Sequence, residues 1–129
     1  MITATTSGTS VNLIGKQGTT WNIVISLFSD AGLTVPLSLA GYSARGQYRQ
    51  SYAVGSPVVI EFSCTVLPVD PVTNPNNNKI SINVPASTST ACTVLGGYYD
   101  IEVYTAQDAS VERVMEGSLS ILQEVTRAS

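Results

Sequence analysis

The chain contains no histidine. That absence removes the side chain that titrates nearest neutral pH, and with it the Ser–His and Cys–His nucleophile pairs and most zinc sites. Cysteine is scarce as well. Cys64 and Cys92 are too few for a Cys-only zinc site within one chain. They read most simply as small buried hydrophobes, and whether they pair stays open, because a disulfide demands a Cα separation that sequence does not supply. Charged residues make up only 12% of the chain, with a net charge of −3. The six Lys and Arg are scattered, whereas nucleic-acid binding by counterion release needs cations in clusters. Neither DNA nor RNA is expected as a partner. No apolar run approaches the roughly 20 residues of a membrane span, so no membrane partner is expected either. The opening MITATTSGTS lacks a basic n-region and an apolar h-region, which reads as no signal peptide and as synthesis in a cytoplasm. Phosphate-binding glycine patterns are missing too: Gly96–Gly97 precedes a strand pattern rather than opening a helix.

What is present suits one small globular domain. A chain of 129 residues, 43% of them apolar, buries about two-thirds of its unfolded surface and needs no metal or disulfide to hold a core. With so little charge, the polar surface comes from Ser, Thr, Asn and Gln. Such a surface repels neighbours weakly and suits packing beside copies or partners.

The ordering signal is period-two alternation, the mark of half-buried strands. Trp21, Ile23, Ile25 and Leu27 oppose Asn22, Val24 and Ser26. Tyr42, Ala44, Gly46 and Tyr48 oppose Ser43, Arg45, Gln47 and Arg49. Further on, Ile60, Phe62, Cys64 and Val66 alternate with Glu61, Ser63 and Thr65, and Ile80, Ile82 and Val84 with Ser81 and Asn83. Tyr99, Ile101 and Val103 face away from Asp100, Glu102 and Tyr104. Met115, Gly117, Leu119 and Ile121 oppose Glu116, Ser118 and Ser120. SVNLIG, before Trp21, is a weaker strand. Single apolar faces predict antiparallel pairing, and two such sheets stacked face to face bury both apolar sides. The expectation is an all-β, antiparallel two-sheet sandwich of about seven strands; barrel closure competes with it.

Between the strands, PVDPVTNPNNN (residues 68–78) carries three prolines and four asparagines and predicts an exposed loop. PASTSTACTVLGG (85–97) allows at most one short helix. Residues 1–15 read as an N-terminal arm plus the weak first strand, and residues 16–127 as the domain. The apolar-face glycines, Gly46 and Gly117, read as room for a large neighbour such as Trp21, or as bulges.

Candidate chemistry is thin. Asp100 and Glu102 share a strand face with side chains about 7 Å apart, the order of separation a glycosidase pair uses. Both are expected to face solvent with no aromatic platform around them, so an acidic solvent face is the better reading. A cation site at Asp100, Glu102 and Asp108 is weaker still, since calcium takes six or more oxygens. Trp21 fits the core better than a sugar-stacking surface. Tyr52, Tyr98 and Tyr104 are the aromatics expected at the surface, where tyrosines favour protein contacts; Tyr52 with Gln50 is the best local pairing for a glycan. No catalytic, cofactor-binding or metal residue is assigned, and no enzyme is expected.

A longer pattern adds a resemblance. QGTTWNIVISLFSDAGLTVPLSLAGYSARGQYR, then YYDIEVYT, then VERVMEGSLSILQEVTR resembles a domain common among tailed-phage structural proteins, the immunoglobulin-like N-terminal domain of upper-baseplate proteins. The resemblance rests on Gln17–Gly18, Asp30–Gly32, Pro36, Leu39, Gly41–Tyr42, Ala44–Arg45, Gln47 and Arg49. It continues through Tyr99–Glu102, Arg113, Glu116–Gly117 and Glu124–Arg127. It spans residues 17–127. The 50–78 region is longer and richer in Pro and Asn than that pattern, and the lack of a fibre sequence up to Ser129 reads against a complete fibre. The resemblance implies an immunoglobulin-like sandwich and a virion protein made in a bacterial cytoplasm. Its expected place is the tail, baseplate or fibre attachment; a capsid-decorating cement protein is the alternative, and a host-surface glycan-binding module a further one. Its implied partners are other phage structural proteins and copies of itself, with contacts expected from residues 1–15 and 68–78.

Overall fold

The computed structural model describes residues 2–6, 10–30, 32–106 and 109–125. Among them lie β1 (Ile2–Thr6), β2 (Leu13–Lys16), β3 (Trp21–Leu27), β4 (Ser43–Arg49), β5 (Val58–Val66), β6 (Lys79–Val84), α1 (Ala86–Ala91), β7 (Gly96–Tyr104) and β8 (Val111–Leu122). Each alternating segment of the sequence became a strand. The weak segment before Trp21 is β2, and Ile2–Thr6, inside the expected arm, forms β1. The remainder of that arm before Ser10, residue 1 and residues 7–9, lies outside the described residues.

The strands join into one mixed sheet in the order β1-β3-β6-β5-β4-β7-β8-β2. This corrects the two-sheet, all-antiparallel expectation. β5 is nine residues long and serves both halves: Val58 to Phe62 pairs with β4, and Ser63 to Val66 pairs with β6. The hydrogen-bond ladder therefore runs through a corner rather than stopping at it, and the sheet curls into a nearly closed, barrel-like form. The two edges are parallel pairs, β1 with β3 and β2 with β8. Alternation reports which face of a strand is buried; it is blind to the neighbour's direction and to where one strand changes partners.

Inside the curl the expected faces meet. Ile25, Ile80, Ile101, Val103, Tyr48 and Met115 are all fully buried, and Trp21, Ile60, Phe62, Tyr99, Leu119 and Ile121 nearly so. Each such aliphatic side chain stabilises the fold by roughly 1.5–3 kcal/mol relative to exposure. The two deepest phenols are satisfied: Tyr48 donates to the Val94 carbonyl at 2.8 Å and Tyr99 to the Val11 carbonyl at 2.5 Å. Phe62 meets Tyr99 edge-on, with ring centroids 6.4 Å apart. A bulge in β8 adds Val114 to the core between Arg113, opposite Glu102, and Met115, opposite Ile101.

The glycine reading needs one correction. A Cβ on Gly15, not on Gly46, would strike the Trp21 ring; Gly46 makes room for Ile101 and Phe62, and Gly117 for the backbone of Val11. The short helix α1 is fastened to the β2–β3 turn by Ser89, whose hydroxyl donates to Thr19 O at 2.6 Å and accepts from Gly18 N at 3.1 Å. Both thiols are free. Cys92 is buried, and burial pushes the Cys64 thiol up to about 12, which leaves it a poor nucleophile.

Candidate functional site

The outer face of β4, β7 and β8 carries the charge that the core cannot. Period-two geometry places Arg45, Gln47 and Arg49 of β4 there, directly across from Glu102, Asp100 and Tyr98 of β7. On β8 the facing residues are Arg113, Glu116 and Ser118. Beyond β4 the chain does not turn tightly into β5. Residues 50–57 instead fold back over this face, and Tyr52 stacks on Tyr98 with ring centroids 4.6 Å apart and planes tilted by 31°. A guanidinium N–H of Arg49 donates to the Ser56 carbonyl and ties down the return of that loop.

Between loop and sheet lies a groove of about 480 Å³. Its floor holds Arg45, Gln47, Arg49, Asp100, Glu102 and Arg113, and its wall is built from Tyr98 and residues 51–55, Tyr52 among them. Arg45 pairs with Glu102 at 2.9 Å, and its guanidinium lies 4.5 Å from the centre of the Tyr104 ring. Arg113 reaches Asp100 at 3.5 Å and Glu116 at 3.1 Å. Gln47 donates to Glu61 at 2.9 Å and accepts two N–H groups of Arg49, at 3.2 and 2.8 Å. Burial holds the Asp100 carboxyl above its ordinary value, Glu102 adds to the rise, and Arg113 opposes it. Ion pairs exposed to this degree contribute only about 0–1 kcal/mol each. Their consequence is a fixed array of donors and acceptors beside an aromatic wall.

Asp100 and Glu102 thus share a face as expected, but the rest of that expectation is corrected. Both are half-buried in the groove, and an aromatic pair stands beside them. Tyr98 was within reach of sequence reasoning, since it sits two residues before Asp100 on the same face. So were the three arginines, had strand partners been known. Tyr52 was not, because only the path of the loop brings it there. Gln50 is exposed and does not line the groove. Asp108 lies outside the described residues, and among those described no group of three or more acidic or thiol side chains is placed to hold a metal. Trp21 is buried, its indole N–H donating to the Lys16 carbonyl at 2.9 Å.

A second surface is the 68–78 loop, exposed as expected. It is organised by its polar residues: Asp70 accepts the N–H groups of Val72 and Thr73, at 2.8 and 3.0 Å. Buried Asn74 donates to the carbonyls of Leu67 and Pro68 and accepts from Asn78 N. Asn78 in turn donates to Leu27 O at 2.9 Å, which binds the loop to β3. Val69 and Val72 are left pointing outward, 62% and 87% exposed.

No family model and no curated protein matches the chain. Among solved structures it is similar to the N-terminal domain of phage TP901-1 ORF48. The TM-score is 0.51 at 12% identity, covering 95% of this chain and 99% of that one. That likeness shows a shared fold. A chicken TCR structure gives a TM-score of 0.46 at 16% identity, covering 91% of this chain and 55% of that one, too slight a likeness to argue from.

Proposed function

We propose that this protein is a structural component of a tailed-phage particle, an adaptor subunit in the tail, baseplate or fibre attachment. The carrying observation is the end-to-end fold likeness to a phage protein's N-terminal domain, which covers almost the whole of both chains. The motif resemblance running from Gln17 to Arg127 points the same way. Within this reading the fold is an immunoglobulin-like all-β domain whose single curled sheet turns its corner at β5. The weakly charged surface becomes contact surface, with neighbouring particle proteins and copies of the chain as partners. Residues 1–15 and the loop at 68–78 are the proposed contacts. The outward Val69 and Val72 support the second of these, because apolar side chains on a loop held by its own hydrogen bonds lose little entropy on docking.

The test is a cryo-EM map of particles carrying this gene product, with and without residues 1–10. Density for the domain at the tail or baseplate, and reduced occupancy after the deletion, are the expected results. A regular array on the capsid would replace the adaptor reading by decoration, and absence from purified particles would overturn both.

A further inference from the structure

We propose that the groove between the 50–57 loop and the outer face of β4 and β7 is a binding site for a short neutral saccharide. Three features of the groove argue together. The first is size: about 480 Å³ falls inside the roughly 300–1,000 Å³ of small-ligand sites. The second is the aromatic wall. Tyr98 covers one side of Tyr52, yet Tyr52 remains 65% exposed, so a ring surface is left at the lip of the groove. A pyranose presents a flat C–H face that suits such a ring, whose π-cloud is negative.

The third feature is charge. The lining holds Arg45, Arg49 and Arg113 against Glu61, Asp100 and Glu102, three of each sign. A polyanion gains nothing from a lining with no net charge, and a cation finds each of the three carboxylates already paired with a neighbouring side chain. A sugar hydroxyl is both donor and acceptor. It joins an existing guanidinium–carboxylate pair without leaving either partner unmatched. The rigidity of the array adds to this. Gln47 is fixed between Glu61 and Arg49, and Arg49 anchors the loop at Ser56, so the polar groups are oriented before a ligand arrives.

This inference goes beyond the particle reading and stands without it, because it concerns one chain and its ligand. The test uses the full chain, isotope-labelled for NMR and titrated with a panel of neutral hexose and N-acetylhexosamine di- to tetrasaccharides. At least one probe should give saturable shifts at the amides of Tyr52, Tyr98 and Asp100. Tyr52→Ala should weaken that binding roughly tenfold, the scale of one aromatic contact. Thermal unfolding of the variant should match the parent, since Tyr52 is outside the core, and Val72→Ala, exposed on the separate 68–78 loop, should bind normally. No saturable shifts from any probe would overturn the proposal. So would binding that Tyr52→Ala leaves intact, or a particle map in which another protein chain covers Tyr52 and Tyr98.

Discussion

Tyr48 and Tyr99 carry hydroxyls into a core that has little else polar, and each reaches one backbone carbonyl. Burial, with a smaller contribution from Cys92, pushes the Tyr48 phenol up to about 12, and burial also raises Tyr99. The neutral phenol is thus favoured in the folded state. Its share of stability is fully present below the ordinary value near 10 and is lost as pH rises through the folded value. Urea unfolding should accordingly show stability that begins to fall near pH 9, where the Cys64 thiol ionises in the unfolded chain, and falls further from about pH 10 upward. Tyr48→Phe should lower stability at neutral pH by about 1–3 kcal/mol, because the Val94 carbonyl loses its donor. The same variant should lose less than the parent between about pH 9 and 11. An alkaline decline of equal depth in both proteins would show that Tyr48 does not titrate with unfolding.

At the scale of elements, the segment from β5 to β6 shows how asparagine substitutes for regular structure. Asn74 satisfies two carbonyls and one N–H that no ladder reaches, and Asn78 joins the loop to the end of β3. Asn74→Ala should destabilise the protein by about 1–3 kcal/mol, whereas Asn76→Ala, at an exposed position, should stay within about 0.5 kcal/mol. Chemical denaturation of the two variants checks the difference, and faster amide exchange confined to residues 67–79 should accompany the first. Equal effects from both asparagines would mean that the loop contributes through composition alone. The sequence announced this loop through its prolines and asparagines. It could not say which asparagine was buried, because burial depends on the β3 end against which the loop is folded.

For the whole molecule, the shared strand has a mechanical consequence. One strand, β5, is built into both halves, through Val58 to Phe62 with β4 and Ser63 to Val66 with β6, and Trp21 and Tyr99 lie in one contiguous core. Unfolding should therefore be a single cooperative transition. Trp21 fluorescence, reporting the β3–β6 half, and far-UV circular dichroism should give superimposable denaturation curves. Two separated transitions would show that the halves fold as independent sheets joined only by the chain. β1 and β2, consecutive in the chain, occupy opposite edges of the sheet. Each covers a strand rim that would otherwise offer unpaired backbone groups to other chains.

Alternation from Trp21 to Ile121 determined which residues lie inside, because a strand's side chains alternate regardless of its neighbours. The turn residues likewise determined where the chain bends. Direction of pairing, the change of partners within β5, and the fit of Gly15 beneath Trp21 were decided only in three dimensions. So was the groove. Its floor is a property of strand faces, written in the sequence two residues at a time. Its wall depends on a loop whose path is set by contacts between residues far apart in the chain, Tyr52 with Tyr98, and no local pattern encodes such a contact.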